Sequence, residues 1–304
     1  MLRVPTRAGR LVLGGLAAAL VLTACGEKAD DNTVGTGGPS GTTAPSITPS
    51  VDAALAAKVP DAIKADGKIL VGTDSTYAPS EFLAADGKTI QGFDVDLFKA
   101  VAAKLGLQAE FVTAPFGNII PGVGSGKYEI GVSSFTINDE RKKQAEMVSY
   151  FSAGTQWAAK TGASIDPDNA CGKKVAVQKD TVQVDDVTAR SKKCTDAGKP
   201  KITIDQYQAQ SEATTAVVSG KEDAMLADSP VIAYAVKQTN EQLALVGQIY
   251  DSAPYGWVLK KGQTDFAQAL ADALKAVMTE GAYTQILQQW GVEQGAITDP
   301  KVNP

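Results

Sequence analysis

Over most of this chain, short apolar runs bounded by turn residues alternate with segments whose apolar side chains recur every three to four positions. That alternation restricts the fold more than any other feature of the sequence. Residues 68–72 read as a strand, and residues 93–105 place apolar side chains at 93, 97, 98, 101 and 105, one face of a helix, before Gly106 stops the pattern. Strand patterns follow at 109–112 and 129–133, with a short helix at 119–123 interrupted by Pro121 between them. The alternation returns as strands at 174–178, 201–205, 223–227 and 243–246, separated by helices at 181–193, 209–219 and 229–237. This is the pattern of two doubly wound α/β units. The tail departs from it. Phe266, Leu270, Leu274, Val277 and Met278 predict one amphipathic helix with Thr264 as N-cap, and Tyr283, Ile286, Leu287 and Trp290 a second. Two helices with no strand between them suit a chain returning to brace a finished domain. In open α/β sheets ligands bind beyond the carboxyl ends of the strands, so the loops after the strands are the place to look for function.

The first 25 residues are not part of that fold. Arg3, Arg7 and Arg10 precede an apolar run at 11–22, too short to span a bilayer as a mature helix but of the length of a signal-peptide core. The run ends in Leu22-Thr23-Ala24-Cys25, which resembles the bacterial lipobox, with residues 1–24 removed and Cys25 diacylated. Two acyl chains hold a protein firmly to a membrane surface. Residues 26–50, rich in Gly, Thr, Ser and Pro and free of aromatics, read as a flexible tether with a reach of roughly 25–30 Å. An Ala-rich stretch at 51–65 carries a short helix into the domain, and the folded part is expected from residue 59, with 25–58 as lipidated cysteine and linker. Of three cysteines, Cys25 would be taken by lipid, which leaves Cys171 and Cys194 as an even pair in an exported protein. A disulfide between them is expected, worth roughly 3 kcal/mol on the chain-entropy model. Two separate buried thiols are the alternative.

Composition removes several kinds of chemistry. The formal net charge is −5, which argues against a nucleic-acid partner. There is no histidine, so a Ser-His-Asp triad, a Cys-His dyad and a His-based zinc site are excluded. No metal or cofactor is expected. Beyond the leader only Arg141 and Arg190 remain as arginines, against 24 lysines. An arginine kept in a lysine-rich chain points to a need for its fixed planar donor fork. Arg141 follows a strand in Ser133-Ser134-Phe135-Thr136-Ile137-Asn138-Asp139-Glu140-Arg141, where hydroxyls at 134 and 136 and a guanidinium can converge on one carboxylate. A surface ion pair to Glu140 or Glu146 is the competing reading.

Four spaced motifs add to this reading. Gly72-Thr73-Asp74-Ser75-Thr76-Tyr77-Ala78-Pro79, Gly92-Phe93-Asp94-Val95-Asp96-Leu97, Ile120-Pro121-Gly122-Val123-Gly124-Ser125-Gly126-Lys127-Tyr128-Glu129 and Ser134-Phe135-Thr136-Ile137-Asn138-Asp139-Glu140-Arg141-Lys142 occur in that order. Over residues 66–292 the chain resembles family 3 of the bacterial extracellular solute-binding proteins, the polar amino acid receptors of ABC importers. The resemblance implies a periplasmic-binding-protein-like fold of two α/β lobes joined by two hinge strands. Lobe 1 would be 59–153 with 254–304, and lobe 2 would be 154–253. It also implies a free amino acid as ligand and permease and ATPase subunits as partners; a monomer is the default expectation, and the lipobox places the chain on the outer face of the cytoplasmic membrane. Arg141, helped by Ser134 and Thr136, matches the grip on the ligand carboxylate, and Asp228 matches the acid that takes the ammonium. An N-cap for the helix opening at Ser229-Pro230 is the other reading of Asp228. Asp74 and Tyr77 match the side-chain pocket, and Phe116 its wall or a core position. Two departures stand out. Val182 replaces a hydroxyl residue and leaves only its backbone N–H for the carboxylate. Glu81, in Pro79-Ser80-Glu81-Phe82, reads either as an acid that joins Asp74 in favouring a cationic side chain or as a solvated loop charge. Residues 150–160 and 248–260 each lead between the two lobes, and their small residues at 152–154 and 251–256 suit hinges, although core strands would look similar. A dehydratase of amino-acid precursors, with Asp74, Glu81 or Lys179 as the acid, and a sensor on the same fold are the rival functions.

Overall fold

The computed structural model describes residues 49–304. The expected export leader, the expected lipid site Cys25 and the expected tether as far as residue 48 lie outside the described residues.

The first described elements are the short helices α1 (Ala53–Ala56) and α2 (Asp61–Lys64). The Asp52 carboxylate accepts from the N–H groups of Ala54 and Leu55 and caps α1. The Asp52 N–H donates to the carbonyl of Lys104 at 2.9 Å, and Leu55 packs on the main core. The folded part therefore starts ahead of the expected residue 59.

The strands are β1 (Lys68–Thr73), β2 (Thr76–Tyr77), β3 (Glu81–Leu83), β4 (Ile90–Gln91), β5 (Gln108–Thr113), β6 (Ile130–Thr136), β7 (Ala145–Lys160), β8 (Lys174–Gln178), β9 (Thr203–Tyr207), β10 (Ala224–Asp228) and β11 (Leu243–Lys260). The helices between and after them are α3 (Phe93–Lys104), α4 (Ile119–Ser125), α5 (Asp139–Gln144), α6 (Val182–Asp196), α7 (Gln210–Ser219), α8 (Ser229–Gln238), α9 (Thr264–Thr279) and α10 (Ala282–Trp290). Eight strands form one sheet in the order β5-β1-β6-β11-β7-β10-β8-β9, while β2, β3 and β4 make a small separate sheet that the apolar pattern did not predict.

Each end of the large sheet is a parallel unit of the same design. β1 pairs in parallel with β5 and β6, and β8 pairs in parallel with β9 and β10. In both units the first strand lies in the middle and the next two lie on opposite sides of it. The chain thus reverses direction across the sheet, and crevices open at the carboxyl ends of β1 and β6 and of β8 and β10. β10 is buried along its whole length and β6 along all but its last residue, as expected of strands covered on both faces.

Between the two units run β7 and β11, paired antiparallel along most of their length. What read as separate pieces near 150–160, 243–246 and 248–260 are two long continuous strands. The register of β11 against β7 shifts between Val246 and Tyr250, between Tyr250 and Ala253, and between Tyr255 and Gly256. Gly154 lies opposite these irregularities, and a Cβ there would meet Ile249, the Tyr250 carbonyl and Ser252 at 2.6–2.7 Å. Only glycine lets the two strands approach so closely.

The tail does brace the first unit. Phe266, Leu270, Leu274 and Val277 of α9 and Ile286 and Leu287 of α10 pack with Phe93, Leu97, Phe98 and Val101 of α3 and with Trp257 of β11. Thr264 is not the N-cap of α9; that position is Gln263, which makes no side-chain cap hydrogen bond. Pro121 falls in the first turn of α4 and does not interrupt it, because the first-turn N–H groups need no intrahelical acceptor. In the second unit Trp157, Val175, Val177, Val187 and Leu226 form a core with Cys194, which is disulfide-bonded to Cys171.

Candidate amino acid site

The carboxyl ends of the four inner parallel strands converge on one narrow pocket. Thr73 ends β1 and delivers Asp74, and Thr136 ends β6 after Ser133 and Ser134. From the other unit, Gln178 ends β8 and Asp228 ends β10. Asp74, Tyr77, Phe116, Ser134, Thr136, Arg141, Val182 and Asp228 all line the pocket, as do Ser133, Gln178, Thr181 and Gln183.

Arg141 sits in α5, where the Asn138 side chain accepts from its backbone N–H at 2.9 Å and caps the helix. Its guanidinium donates from Nη1 to the Thr136 carbonyl at 2.9 Å and from Nη2 to the Asp180 carbonyl at 3.5 Å. The plane lies over the rings of Phe116 and Phe135, at 5.3 and 5.5 Å, and those rings stack on each other at 4.7 Å. Arg141 is 9% exposed, yet among the described residues no carboxylate lies within ion-pair distance of it. Glu140 pairs instead with Lys143, and Glu146 with Lys261. Burial pulls the guanidinium down to about 10, and the Asp228 charge opposes that fall. It remains a cation at neutral pH. A buried cation served only by carbonyls and ring faces is short of an anionic partner.

Asp228 is fixed in the opposite wall. Tyr77 donates to its Oδ2 and Gln183 to its Oδ1, each at 2.8 Å. It holds the N-cap position of α8, but its side chain makes no cap hydrogen bond and turns into the pocket. Burial raises its pKa, opposed by the hydroxyls of Tyr255 and Tyr77, by Gln183 and by Arg141.

Asp74 is saturated. Thr76 donates to its Oδ1 at 2.7 Å, and its Oδ2 accepts from the Phe116 N–H at 3.0 Å and from Gln178 at 2.9 Å. Burial raises its pKa against those hydrogen bonds. Ser134, expected to donate to a carboxylate, spends its hydroxyl elsewhere. Both its N–H and its Oγ lie on Oδ2 of Asp94, at 3.0 and 3.2 Å. Its Oγ therefore offers lone pairs to the pocket. Val182 opens α6, whose N-cap Thr181 makes no side-chain cap hydrogen bond, so the first-turn N–H groups and the positive end of that helix face the site.

Glu81 is neither a pocket wall nor a solvated charge. It is fully buried and accepts from the Ser133 hydroxyl at 3.0 Å. Gln178, Gln183 and Asp94 went unnoticed in the sequence. For Gln178 a signal existed, because it is the last residue of a predicted strand, where the carboxyl-end rule points. The lobes meet directly through Tyr77–Asp228, Asp74–Gln178, Arg141–Asp180 and the Gln210 N–H to Thr76 Oγ1 at 3.3 Å.

This architecture has well-defined relatives. The arginine-binding protein ArgT of Corynebacterium glutamicum is 35% identical over 99% of this chain and 97% of its own. The solved structure of an ancestral arginine-binding protein bound to arginine is 34% identical, with a TM-score of 0.69, covering 74% of this chain and 98% of that one. An ancestral amino acid-binding protein described as a precursor of cyclohexadienyl dehydratase is 33% identical, with a TM-score of 0.66, covering 76% of this chain and 98% of that one. The model of the bacterial extracellular solute-binding proteins, family 3, matches residues 69–293, and the chain belongs to that family.

Proposed function

We propose that this protein is the extracytoplasmic receptor of an ABC importer and that it takes a basic L-amino acid, arginine first. The observation that carries the reading is Arg141, a buried guanidinium without an ion-pair partner among the described residues, opposite the buried carboxylate of Asp228. An α-amino acid is the small molecule that carries both missing charges on one carbon.

In this reading the ligand carboxylate sits on Arg141, with Thr136 and the N–H groups at Val182 completing its shell. The ammonium sits on Asp228, with lone pairs from Ser134. The side chain lies between Tyr77 and Phe116 with its head toward Asp74, whose present donor Gln178 would give way to a cationic group. Closure of the two lobes about β7 and β11 removes the ligand from water and strengthens each charge-assisted contact. The lobes divide in this reading at residues 153/154 and 253/254. A micromolar constant requires about −8 kcal/mol, within reach of a well-fitted ligand of about a dozen heavy atoms. The arginine-binding relatives support the choice of ligand. Cys25 would anchor the monomer by lipid to the outer face of the membrane, and the tether would let it reach its permease.

Calorimetry of the chain from residue 26 against all twenty amino acids, ornithine and cystine tests this. Tight one-to-one binding of arginine, lysine or ornithine is expected, and no binding of any α-amino acid would overturn it. The neighbour described as a dehydratase precursor favours an enzyme on the same fold. Against that, Glu81 is sealed from the pocket, Asp74 already holds three donors and Lys179 is exposed. Turnover of prephenate or arogenate would displace the receptor reading.

A further inference from the structure

Beneath the pocket lie two acids that do not line it. Asp94 stands in the first turn of α3, and Glu81 opens β3; both have zero exposure. Gly92, at φ 138° with the Ser80 carbonyl 2.0 Å from where a Cβ would stand, is what allows the turn into α3 to dock there. The N–H of Asp94 then donates to that same carbonyl at 3.0 Å.

Each acid holds one residue at the end of β6. Oδ2 of Asp94 accepts from the Ser134 N–H, from the Ser134 hydroxyl and, at 2.5 Å, from the Tyr150 hydroxyl. Oε1 of Glu81 accepts from the Ser133 hydroxyl, whose oxygen in turn accepts from the Asp74 N–H at 3.0 Å. Ser134 has φ 50°, a left-handed conformation costly for a residue with a side chain, and its two hydrogen bonds to Asp94 hold it there. One oxygen is left on each acid, Glu81 Oε2 and Asp94 Oδ1, and neither has a donor. The two acids are neighbours, held by adjacent Ser133 and Ser134 and by the Asp94 N–H on the carbonyl of the residue before Glu81, and a proton on one carboxyl would give the two bare oxygens a partner in each other. Among the described residues no lysine or arginine pairs with either acid.

We propose that Glu81 and Asp94 share one proton and act together as a positioning pair, with ionised Asp94 holding Ser134 in its left-handed conformation and protonated Glu81 holding Asp94 and Ser133. The ligand-binding consequence rests on the function proposed above; the shared proton does not.

The groups facing the pair are Tyr150 on β7, Ser133 and Ser134 on β6, and Asp74 beyond Glu81. All are neutral or negative, and burial pushes Glu81 well above the ordinary carboxyl range and Asp94 to about 6. The folded protein thus holds on to protons that the unfolded chain releases. Stability from Asp94 is full below its ordinary 3.8 and is lost as pH rises through about 6. Binding runs the other way, because the ionised acceptor is the form that grips Ser134. Affinity therefore falls as pH drops through about 6.

Infrared spectroscopy of the ligand-free protein at neutral pH decides the shared proton. A protonated-carboxyl band that disappears in Glu81→Gln is expected; a band that is absent, or that survives this substitution, overturns the proposal. Titration with arginine tests the positioning. Asp94→Asn is expected to bind roughly tenfold more weakly at pH 7.5 and to lose the part of the acid limb near pH 6. Asp228 titrates in both proteins, so the difference between the two profiles belongs to Asp94. Glu81→Ala is expected to weaken binding by a similar factor, and Glu81→Gln, which returns a donor, to recover most of it. Wild-type affinity and pH profile in Asp94→Asn would overturn the positioning role, whereas failure of wild type to bind any amino acid would sink the ligand reading and leave the infrared result standing.

Discussion

The two arginines of the described residues, Arg141 and Arg190, sit in opposite circumstances. Arg190 is saturated: its Nε donates to Asp186 at 3.0 and 3.2 Å, and its Nη1 to the Pro167 carbonyl at 2.8 Å and to Asp168 at 3.2 Å. It lies 4.8 Å from the ring of Tyr250, whose hydroxyl also donates to Asp186. Its surroundings raise its pKa; those of Arg141 lower it. Arg190 ties α6 to β11 and to the loop before β8, and its donor fork is spent within the protein. Arg141 is more deeply buried and has only carbonyls and ring faces. The same residue type thus marks a brace where its acceptors are present and, in the function proposed above, a ligand grip where they are missing.

Four experiments break or sharpen that contrast. Arg141→Ala should cost at least a hundredfold in affinity for any α-amino acid, about 3 kcal/mol for two charge-assisted hydrogen bonds, while the melting temperature of the free protein holds or rises. Calorimetry and a thermal melt on the same sample would check both halves; unchanged affinity would remove the site. Cys171→Ser should lower stability by roughly 3 kcal/mol by releasing the loop that ends on α6, the helix of Arg190, with affinity at saturating folded fraction unaltered. Denaturant unfolding with and without reductant measures that.

Arg190→Ala should cost about 1–2 kcal/mol of stability and leave the ligand constant within a factor of two. A large loss of affinity would mean that this brace also governs closure. The smallest effect is the pH response of binding. Asp228 must be ionised to take the ammonium, and burial raises its pKa, so affinity falls a few-fold as pH drops into that raised range. Without ligand the sign reverses: the stability linked to Asp228 is present in acid and lost as pH rises through its folded pKa. The ligand sets the other limit, since its α-ammonium discharges in alkali while the Arg141 guanidinium is still a cation. The ligand-induced shift in melting temperature across pH should therefore form a plateau; a shift that keeps rising in acid would contradict the Asp228 assignment.

Much of this was legible beforehand because it is local. The period-two and period-3.6 patterns record which faces are buried, so the α/β units and the bracing tail could be read off directly. Arg141 stood out because its type is rare in this chain, whereas Asp228 was implied by the family resemblance and made physically plausible by its place after a buried strand. Glu81 was misread because nothing in Pro79-Ser80-Glu81-Phe82 says that Asp94 and Ser133 will close over it. Thr264 resembles an N-cap, and only the backbone at Gln263 shows that the helix starts one residue earlier than a Thr264 cap requires.

By itself the sequence pointed to the class of fold, to Arg141 and to an even pair of exported cysteines, since periodicity, residue rarity and cysteine count are properties of the chain, and the family resemblance added Asp228. The tertiary structure alone decided that β7 and β11 each run unbroken through both units and that Ser134 faces the pocket with lone pairs. It alone decided that Tyr77 meets Asp228 across 151 residues and that two acids lie buried side by side. These are contacts between segments distant in sequence. Their energy depends on what surrounds each group after folding, which no local pattern records.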